Sequence, residues 1–205
     1  MKRHLPALVS ALLMTGTQSY LLGTAISTAT VLIIHQPLSA QSTNDEYAQY
    51  HLSRSVTRRG AGDYQGAMSD LGIAIESGGN AIRSVAYMNR GDLKHQLGDS
   101  HGAISDYTQA MNLGNSGGVV HRRRGVAKAA TGEYRLAIAD YNIAVAILSP
   151  PRQSSPDLVI EVHILRGNAW GAIGANQEAC EDYKKAVSYG DQDTLKWLTS
   201  GNGAW

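Results

Sequence analysis

Residues 90–110 read RGDLKHQLGDSHGAISDYTQA and contain a skeleton that recurs along the chain. The skeleton consists of an arginine, several small residues, an aspartate and, in most copies, a tyrosine. Three further copies begin at Arg54, Arg124 and Arg166. Successive copies are offset by 36, 34 and 42 residues, measured between their central alanines, Ala67, Ala103, Ala137 and Ala179. Periods of this length predict a helical solenoid, in which each repeat packs against its neighbours.

Three copies place a glycine inside a segment that otherwise predicts helix. Each glycine precedes an alanine of the same copy at one constant spacing, in the pairs Gly91 and Ala103, Gly125 and Ala137, and Gly167 and Ala179. A glycine in a helix interior costs about 1 kcal/mol relative to alanine, so a packing gain must offset it. We predict that each pair marks the close approach of two antiparallel helices.

The pattern resembles the tetratricopeptide repeat over residues 47–187. This resemblance implies an all-α fold, a right-handed superhelical solenoid of about four antiparallel helix pairs with a short C-terminal capping helix. It implies repeats near residues 47–80, 81–116, 117–150 and 158–190, and a cap at 191–199. The sequence departs from the family at Ser55, where glycine is expected. It also departs where a bulky aromatic residue such as Tyr87 is replaced by His51, His121 and His163.

Turn residues between the apolar segments set the predicted helix ends. They predict helices at residues 44–59, 64–77, 81–97, 101–113, 119–130, 134–148, 158–173, 177–189 and 191–198. The connection at 149–157 contains three prolines, which exclude a continuous helix there. This insertion accounts for the longer step between the last two copies.

Residues 1–40 differ in composition from the repeats. They begin with Lys2 and Arg3, contain apolar runs at 5–14 and 21–34, and end in a small residue, Ala40. We predict that residues 1–40 are a secretory signal peptide cleaved after Ala40, which leaves 41–205 as the repeat domain. The alternative is an uncleaved membrane anchor. Both hypotheses place the repeats outside the cytoplasm, in a periplasm, in a lumen or in the medium.

Charge and cysteine content exclude several classes of function. The chain has 18 basic and 17 acidic residues, and removing residues 1–40 leaves 18 − 2 = 16 basic against 17 acidic. This balance does not fit nucleic-acid binding. The single cysteine, Cys180, cannot form an intramolecular disulfide, and we interpret it as a small buried apolar residue.

No sequence motif predicts catalysis or a cofactor. The chain lacks HExxH, CxxC and GxSxG motifs and a phosphate-binding glycine loop. The three repeated histidines occupy equivalent places about 10 Å apart, the distance between packed helices, and therefore cannot share one zinc ion. We assign them to packing and predict no enzyme activity, no cofactor and no metal.

Each copy contains an arginine and an aspartate at one constant spacing, in the pairs Arg54 and Asp70, Arg90 and Asp106, Arg124 and Asp140, and Arg166 and Asp182. We predict that these pairs bridge the two helices of a repeat or neighbouring repeats. Because exposed ion pairs contribute about 0 to 1 kcal/mol, they are expected to set geometry more than stability.

The family resemblance also implies which first-helix residues line the concave groove. They are Leu52, Val56, Val85, Met88, Asn89, Asp92, Val119, Arg122, Arg123, Val126, Glu161, Ile164, Leu165 and Asn168. With Arg124 paired to Asp140, we predict that Arg122 and Arg123 are free to bind an acidic or carboxylate-bearing segment. The carboxylate clamp of the family's chaperone-tail binders is matched here by Asn89 and Arg123 alone, which disfavours that ligand class.

The sequence therefore predicts a non-catalytic scaffold that binds an extended peptide or protein segment outside the cytoplasm. Stacked repeats expose a long groove without a deep, water-excluding pocket, which suits such a partner. One alternative is a structural or self-assembling module of the cell envelope. Another is an accessory domain of an enzyme complex. Contact with a membrane is expected only if the N-terminal segment is retained.

Overall fold

The computed structural model describes residues 38–149 and 155–200, in which all regular structure is helical. Nine helices follow one another within these ranges. They are α1 (Leu38–Gly60), α2 (Tyr64–Ser77), α3 (Asn80–Gln96), α4 (Ser100–Asn112), α5 (Gly118–Ala130), α6 (Tyr134–Leu148), α7 (Pro156–Ala172), α8 (Asn176–Ser188) and α9 (Gln192–Thr199). None of these helices is both long and apolar enough to cross a membrane.

The helices pack as four successive pairs, and α9 packs on the last of them. The second helix of each pair also contacts the first helix of the next pair. The first helices, α1, α3, α5 and α7, contact one another in sequence, whereas within the described ranges the second helices do not. The first helices therefore line the inner side of the stack, called the inner face below. The prediction of an all-α solenoid is confirmed.

Glycine and aspartate make the tight turn inside a repeat. Gly98 has φ +90° and Gly132 has φ +81°, a left-handed conformation that ends the first helix and that glycine adopts without strain. In the second repeat Asp99 then caps α4, because its carboxylate accepts a hydrogen bond from the backbone N–H of Gly102 at 2.8 Å. These two local signals explain why the predicted helix ends fall close to the observed ones.

Two predicted helix starts need correction. Helix α1 begins at Leu38 and not at 44, because residues 38–43 contain no glycine or proline that would stop it. Helix α7 begins at Pro156, since a proline in the first turn needs no N–H partner. The predicted signal peptide lies outside the described residues except for positions 38–40, and the connection at 150–154 also lies outside them.

The repeated alanines lie at the helix contacts, where Ala67, Ala103, Ala137 and Ala179 are fully buried. Larger apolar side chains fill the space around them, including Leu71, Tyr107 and Tyr141. Leu52, predicted to line the groove, belongs instead to the core around Leu71. Small residues at the crossings allow the helices to approach closely and pack at the density of a protein interior.

The repeated glycines face tyrosine rings, a contact that the sequence did not predict. A Cβ atom placed on Gly125 would lie 2.6 Å from Cε1 of Tyr141. The same atom on Gly91 or Gly167 would lie 2.8 Å from the equivalent ring carbon of Tyr107 or Tyr183. Each glycine therefore provides room for the tyrosine on the second helix of its own repeat.

The first repeat supports this explanation. There the two positions hold Ser55 and Leu71, which line the same small void. The buried hydroxyl of Ser55 donates to the carbonyl oxygen of Leu52 at 2.6 Å. A leucine branch is smaller than a phenol ring and leaves space for a serine side chain. The loss of glycine in this repeat thus accompanies the loss of tyrosine.

Candidate functional site

A buried aspartate on the second helix joins the two helices of every repeat. These aspartates, at most 3% exposed, are Asp70, Asp106, Asp140 and Asp182. Each carboxylate accepts two hydrogen bonds from the arginine of its own repeat, one from Nε at 2.8 to 3.0 Å and one from Nη2 at 2.5 to 2.7 Å. The predicted arginine–aspartate bridges are confirmed within single repeats. The expectation that they are exposed is wrong.

The repeated histidines belong to the same network. The Nδ1 atoms of His51, His121 and His163 lie 2.8, 3.4 and 2.9 Å from the aspartate of their own repeat. In the second repeat Tyr87 takes this place, and the guanidinium of Arg90 lies 5.2 Å from its ring centroid. The histidine precedes the arginine by three residues, a spacing that puts both on one helix face. The sequence showed that the histidines recur, but their contact with the aspartates was not predicted from it.

A further lysine or arginine reaches the aspartate in three of the repeats. It lies four residues after the arginine and is Arg58 at 3.1 Å, Lys94 at 2.8 Å or Lys128 at 2.8 Å. The fourth repeat has Trp170 at this position. Among the described residues, Asp182 pairs with His163 and Arg166 and with no lysine or second arginine.

These contacts lower the pKa of three of the aspartates. The hydrogen bond from Arg54 is the largest influence on Asp70 and, against the effect of burial, lowers its pKa to about 2. Burial raises the pKa of Asp140, but hydrogen bonds from Arg124 and Lys128 outweigh it, and the pKa falls below its usual range. The pKa of Asp182 is lowered in the same way, with burial outweighed by hydrogen bonds from His163 and Arg166.

A lowered pKa makes the repeats sensitive to acid. The folded state holds these carboxylates ionised more strongly than the unfolded chain does, so their contribution is full above the unfolded pKa of about 4. It is lost as the pH falls toward about 2, the pKa of Asp70 in the folded protein. We expect the thermal unfolding midpoint, followed by circular dichroism, to fall steeply below about pH 4. A midpoint unchanged to about pH 2.5 would contradict this expectation.

Ion pairs between neighbouring repeats cross the inner face. Nη1 of Arg122 lies 2.6 Å from Oε1 of Glu161, and Nη1 of Arg123 lies 2.6 Å from Oδ2 of Asp92. The prediction that the two arginines are free is therefore wrong. Both acids had been placed in the groove from the sequence, but a repeat period does not reveal which side chains meet across repeats.

The remaining predicted groove residues lie on first helices and differ in exposure. Val56 and Val85 are exposed, by 53% and 37%, and form an apolar part of the inner face near its N-terminal end. Asn168 is exposed near the other end. The others are half-buried: Met88, Asn89, Val119, Val126, Ile164 and Leu165. A cleft of about 210 Å³ lies beside the central arginines, lined by Asp92, His95, Tyr107, Arg122, Arg123 and Val126.

The residue after the repeated glycine decides whether the buried tyrosine finds a hydrogen-bond acceptor. The hydroxyl of Tyr107 donates to Asp92 at 2.8 Å, and that of Tyr183 donates to Asn168 at 2.8 Å. In the third repeat the equivalent residue is Val126, which has no acceptor. The buried hydroxyl of Tyr141 accordingly has no hydrogen-bond partner among the described residues.

This difference predicts unequal effects of removing the hydroxyl groups. Tyr107→Phe and Tyr183→Phe each lose a hydrogen bond and should lower the free energy of unfolding by about 0.5 to 1.5 kcal/mol. Tyr141→Phe removes an unpaired buried donor and should leave stability unchanged or raise it. Urea unfolding of the three variants provides the measurement, and an equal loss in all three would refute the assignment.

Other candidate chemistry is limited in the described ranges. Cys180, interpreted from the sequence as a small buried apolar residue, is half-buried. Within residues 38–149 and 155–200, no group of three or more histidine, cysteine or acidic side chains is arranged to hold a metal ion. A larger cleft of about 500 Å³ lies beside the capping helix, lined by Ile164, Asn168, Tyr183, Asp191, Asp193, Thr194 and Trp197.

Comparisons with known proteins agree with this geometry. Residues 84–113 match the family model described as tetratricopeptide repeat. No curated protein matches the chain. A similar solved structure is that of BtubC (BKLC) from P. vanneervenii, with 17% identity and a TM-score of 0.66 over 71% of this chain and 64% of that chain. The chain therefore spans somewhat less than two thirds of the length of BtubC.

Two further structures have the same fold. MamA is 19% identical with a TM-score of 0.61, over 74% of this chain and 82% of that chain. The second TPR of Spaghetti (RPAP3), bound to the HSP90 peptide SRMEEVD, is 23% identical with a TM-score of 0.50, over 54% of this chain and 99% of that chain. The stacked helix pairs and these likenesses show that the chain has the fold of tetratricopeptide-repeat proteins, and residues 84–113 match one such repeat.

Proposed function

We propose that the inner face binds an extended segment of another protein, and that the chain acts as a non-catalytic scaffold. The observation that carries this proposal is the pair of exposed valines, Val56 and Val85, on first helices that pack side by side. Exposed apolar side chains next to polar groups are typical of interaction sites. The peptide bound to the second TPR of Spaghetti is an example of a protein segment held by this fold.

We propose in addition that the segment carries an acidic residue. Such a carboxylate would replace Glu161 on Arg122, because the side chain of Glu161 is 48% exposed and can move aside. A partner's carboxylate would not replace Asp92 on Arg123 as readily, because the side chain of Asp92 is only 21% exposed. Asp92 also accepts a hydrogen bond from the hydroxyl of Tyr107. The ion pair between Arg122 and Glu161 would then be replaced by one between Arg122 and the partner's carboxylate. Because the number of ion pairs does not change, this exchange contributes more to the specificity of binding than to its affinity.

Site-specific crosslinking tests the location of the partner. A photoreactive amino acid at Val85, on α3, should capture a partner segment that mass spectrometry can define. The same amino acid at Leu136 serves as the matched control, because Leu136 is 51% exposed but lies on a second helix, α6. Adding Arg122→Ala should weaken capture at Val85 severalfold if the acidic residue is bound there. Equal capture of the same partner segment at Val85 and Leu136 would exclude the inner face, whereas capture of a second copy of this chain at Leu136 would not.

A second candidate function is self-assembly. Leu136 and Ile143 are exposed apolar residues on the same second helix, by 51% and 42%. If they join copies of the chain, light scattering should show a larger particle that Leu136→Ser with Ile143→Ser dissociates. A particle of unchanged mass in the double variant would exclude this surface.

We also propose that the chain is exported and begins at Gln41 after cleavage. The basic start, the apolar runs and Ala40 support this proposal. Amino-terminal sequencing of the protein from its native host tests it. A sequence beginning at Met1 or Lys2 would favour an uncleaved anchor that faces outward.

A further inference from the structure

The fourth repeat lacks a cation that the other three repeats hold. In those repeats a lysine or arginine four residues after the bridging arginine contacts the buried aspartate at 2.8 to 3.1 Å. Trp170 occupies that position in the fourth repeat. The three equivalent positions serve as internal templates, because the same carboxylate and the same arginine are present in each.

A cavity of about 300 Å³ lies where the cation is missing. Its lining residues are Asn142, His163, Arg166, Trp170, Glu178, Glu181, Asp182 and Lys185. Arg166 is already engaged by Asp182 and by Oδ1 of Asn142, at 2.6 and 2.8 Å. The lining thus includes three acidic residues and two formal cations, Arg166 and Lys185, with His163 bonded to Asp182 at 2.9 Å.

The lining suits one kind of ligand group. Carboxylates attract a cation, and an indole face favours it further through the charge distribution of the ring. Two of the three template repeats use a lysine ammonium, Lys94 or Lys128, to meet the aspartate. We propose that this cavity, called the Trp170 site below, binds the ammonium group of a lysine side chain supplied by a partner protein. The site lies between α7 and α8 and does not depend on ligand binding at the inner face.

Titration of the full-length chain with small probes tests the Trp170 site. The probe is Nα-acetyl-lysine methylamide, and the readout is the NMR signal of the Trp170 indole N–H. Saturable movement of that signal is expected, with no movement for the uncharged norleucine analogue. Cadaverine, an amine without a peptide group, tests the source of the ammonium. If cadaverine bound as tightly as the lysine probe, the site would recognise a free amine and not the lysine side chain of a protein, and the proposal would be overturned.

Three variants distinguish the Trp170 site from a general attraction of cations. Trp170→Lys restores the arrangement of the other repeats and should abolish probe binding, read from the amide signals of α8, while the chain stays folded. Glu178→Gln with Glu181→Gln should weaken binding severalfold and removes only exposed carboxylates. Lys185→Gln removes a competing cation and should strengthen binding.

A reciprocal variant completes the test. Lys128→Ala opens the equivalent position of the third repeat beside Asp140 but supplies neither an indole nor the two glutamates, whose places hold Leu136 and Ala139, so no second probe site is expected there. Binding that survives both Trp170→Lys and the double glutamine variant would overturn the proposal. So would the absence of binding to both the unaltered chain and Lys185→Gln. These results do not depend on crosslinking at Val85, so the proposal of the Trp170 site and the proposal of binding at the inner face are tested separately.

Discussion

Replacing Asp140 by alanine is expected to lower the free energy of unfolding by about 3 to 5 kcal/mol, the cost of breaking a buried ion pair from one side. The carboxylate is buried between α5 and α6 and contacts Arg124, Lys128 and His121. These three side chains are themselves largely buried, 18%, 14% and 8% exposed. Without the aspartate, the cations Arg124 and Lys128 would remain in the interior without a negative charge beside them.

Urea unfolding of Asp140→Ala beside a surface control provides the measurement. Asp193 forms an ion pair with Lys196 at 3.4 Å, and both side chains are at least 79% exposed. Asp193→Ala should therefore change stability by less than about 0.5 kcal/mol. If the two variants lost similar amounts of unfolding free energy, the network would set the geometry of the repeat without stabilising it, as the sequence alone had suggested.

The arginine–aspartate bridges could be predicted because both residues recur at one fixed spacing within a repeat. Their burial could not, because spacing does not report how deeply two packed helices enclose a side chain. The lysine or arginine four residues after the bridging arginine escaped notice for a related reason. Arg58 differs in type from Lys94 and Lys128, and Trp170 interrupts the series, so no residue type recurs in all four repeats.

The helix ends were largely predictable because turn glycines and capping aspartates act locally. The paired state of Arg122 and Arg123 was not, because their partners lie 39 and 31 residues away in neighbouring repeats. Contacts of this kind depend on how successive repeats are rotated against each other, which is set mainly by the packing of each second helix on the first helix of the next repeat.

The glycine–tyrosine contact gives the second large effect, from Gly125→Ala. In an exposed helix interior this substitution stabilises by about 1 kcal/mol, because alanine is the better helix former. At Gly125 the new Cβ would lie 2.6 Å from the ring of Tyr141, which is fully buried. We expect a net loss of about 2 kcal/mol, within the range for overpacking. Gly72→Ala is the control, because no atom lies within 4 Å of its added Cβ.

The sign of this effect should reverse when the tyrosine is removed. The first repeat pairs Ser55 with Leu71 at the equivalent positions and so tolerates a side chain beside a leucine. In a Tyr141→Leu background, Gly125→Ala should therefore stabilise the protein by up to about 1 kcal/mol. The four proteins form a double-mutant cycle with a coupling of about 3 kcal/mol, large for one contact. Additive changes in the urea midpoints would show that the Tyr141 ring is not the reason for a glycine at position 125. The repeated alanine would then have to be reconsidered as the partner of this glycine.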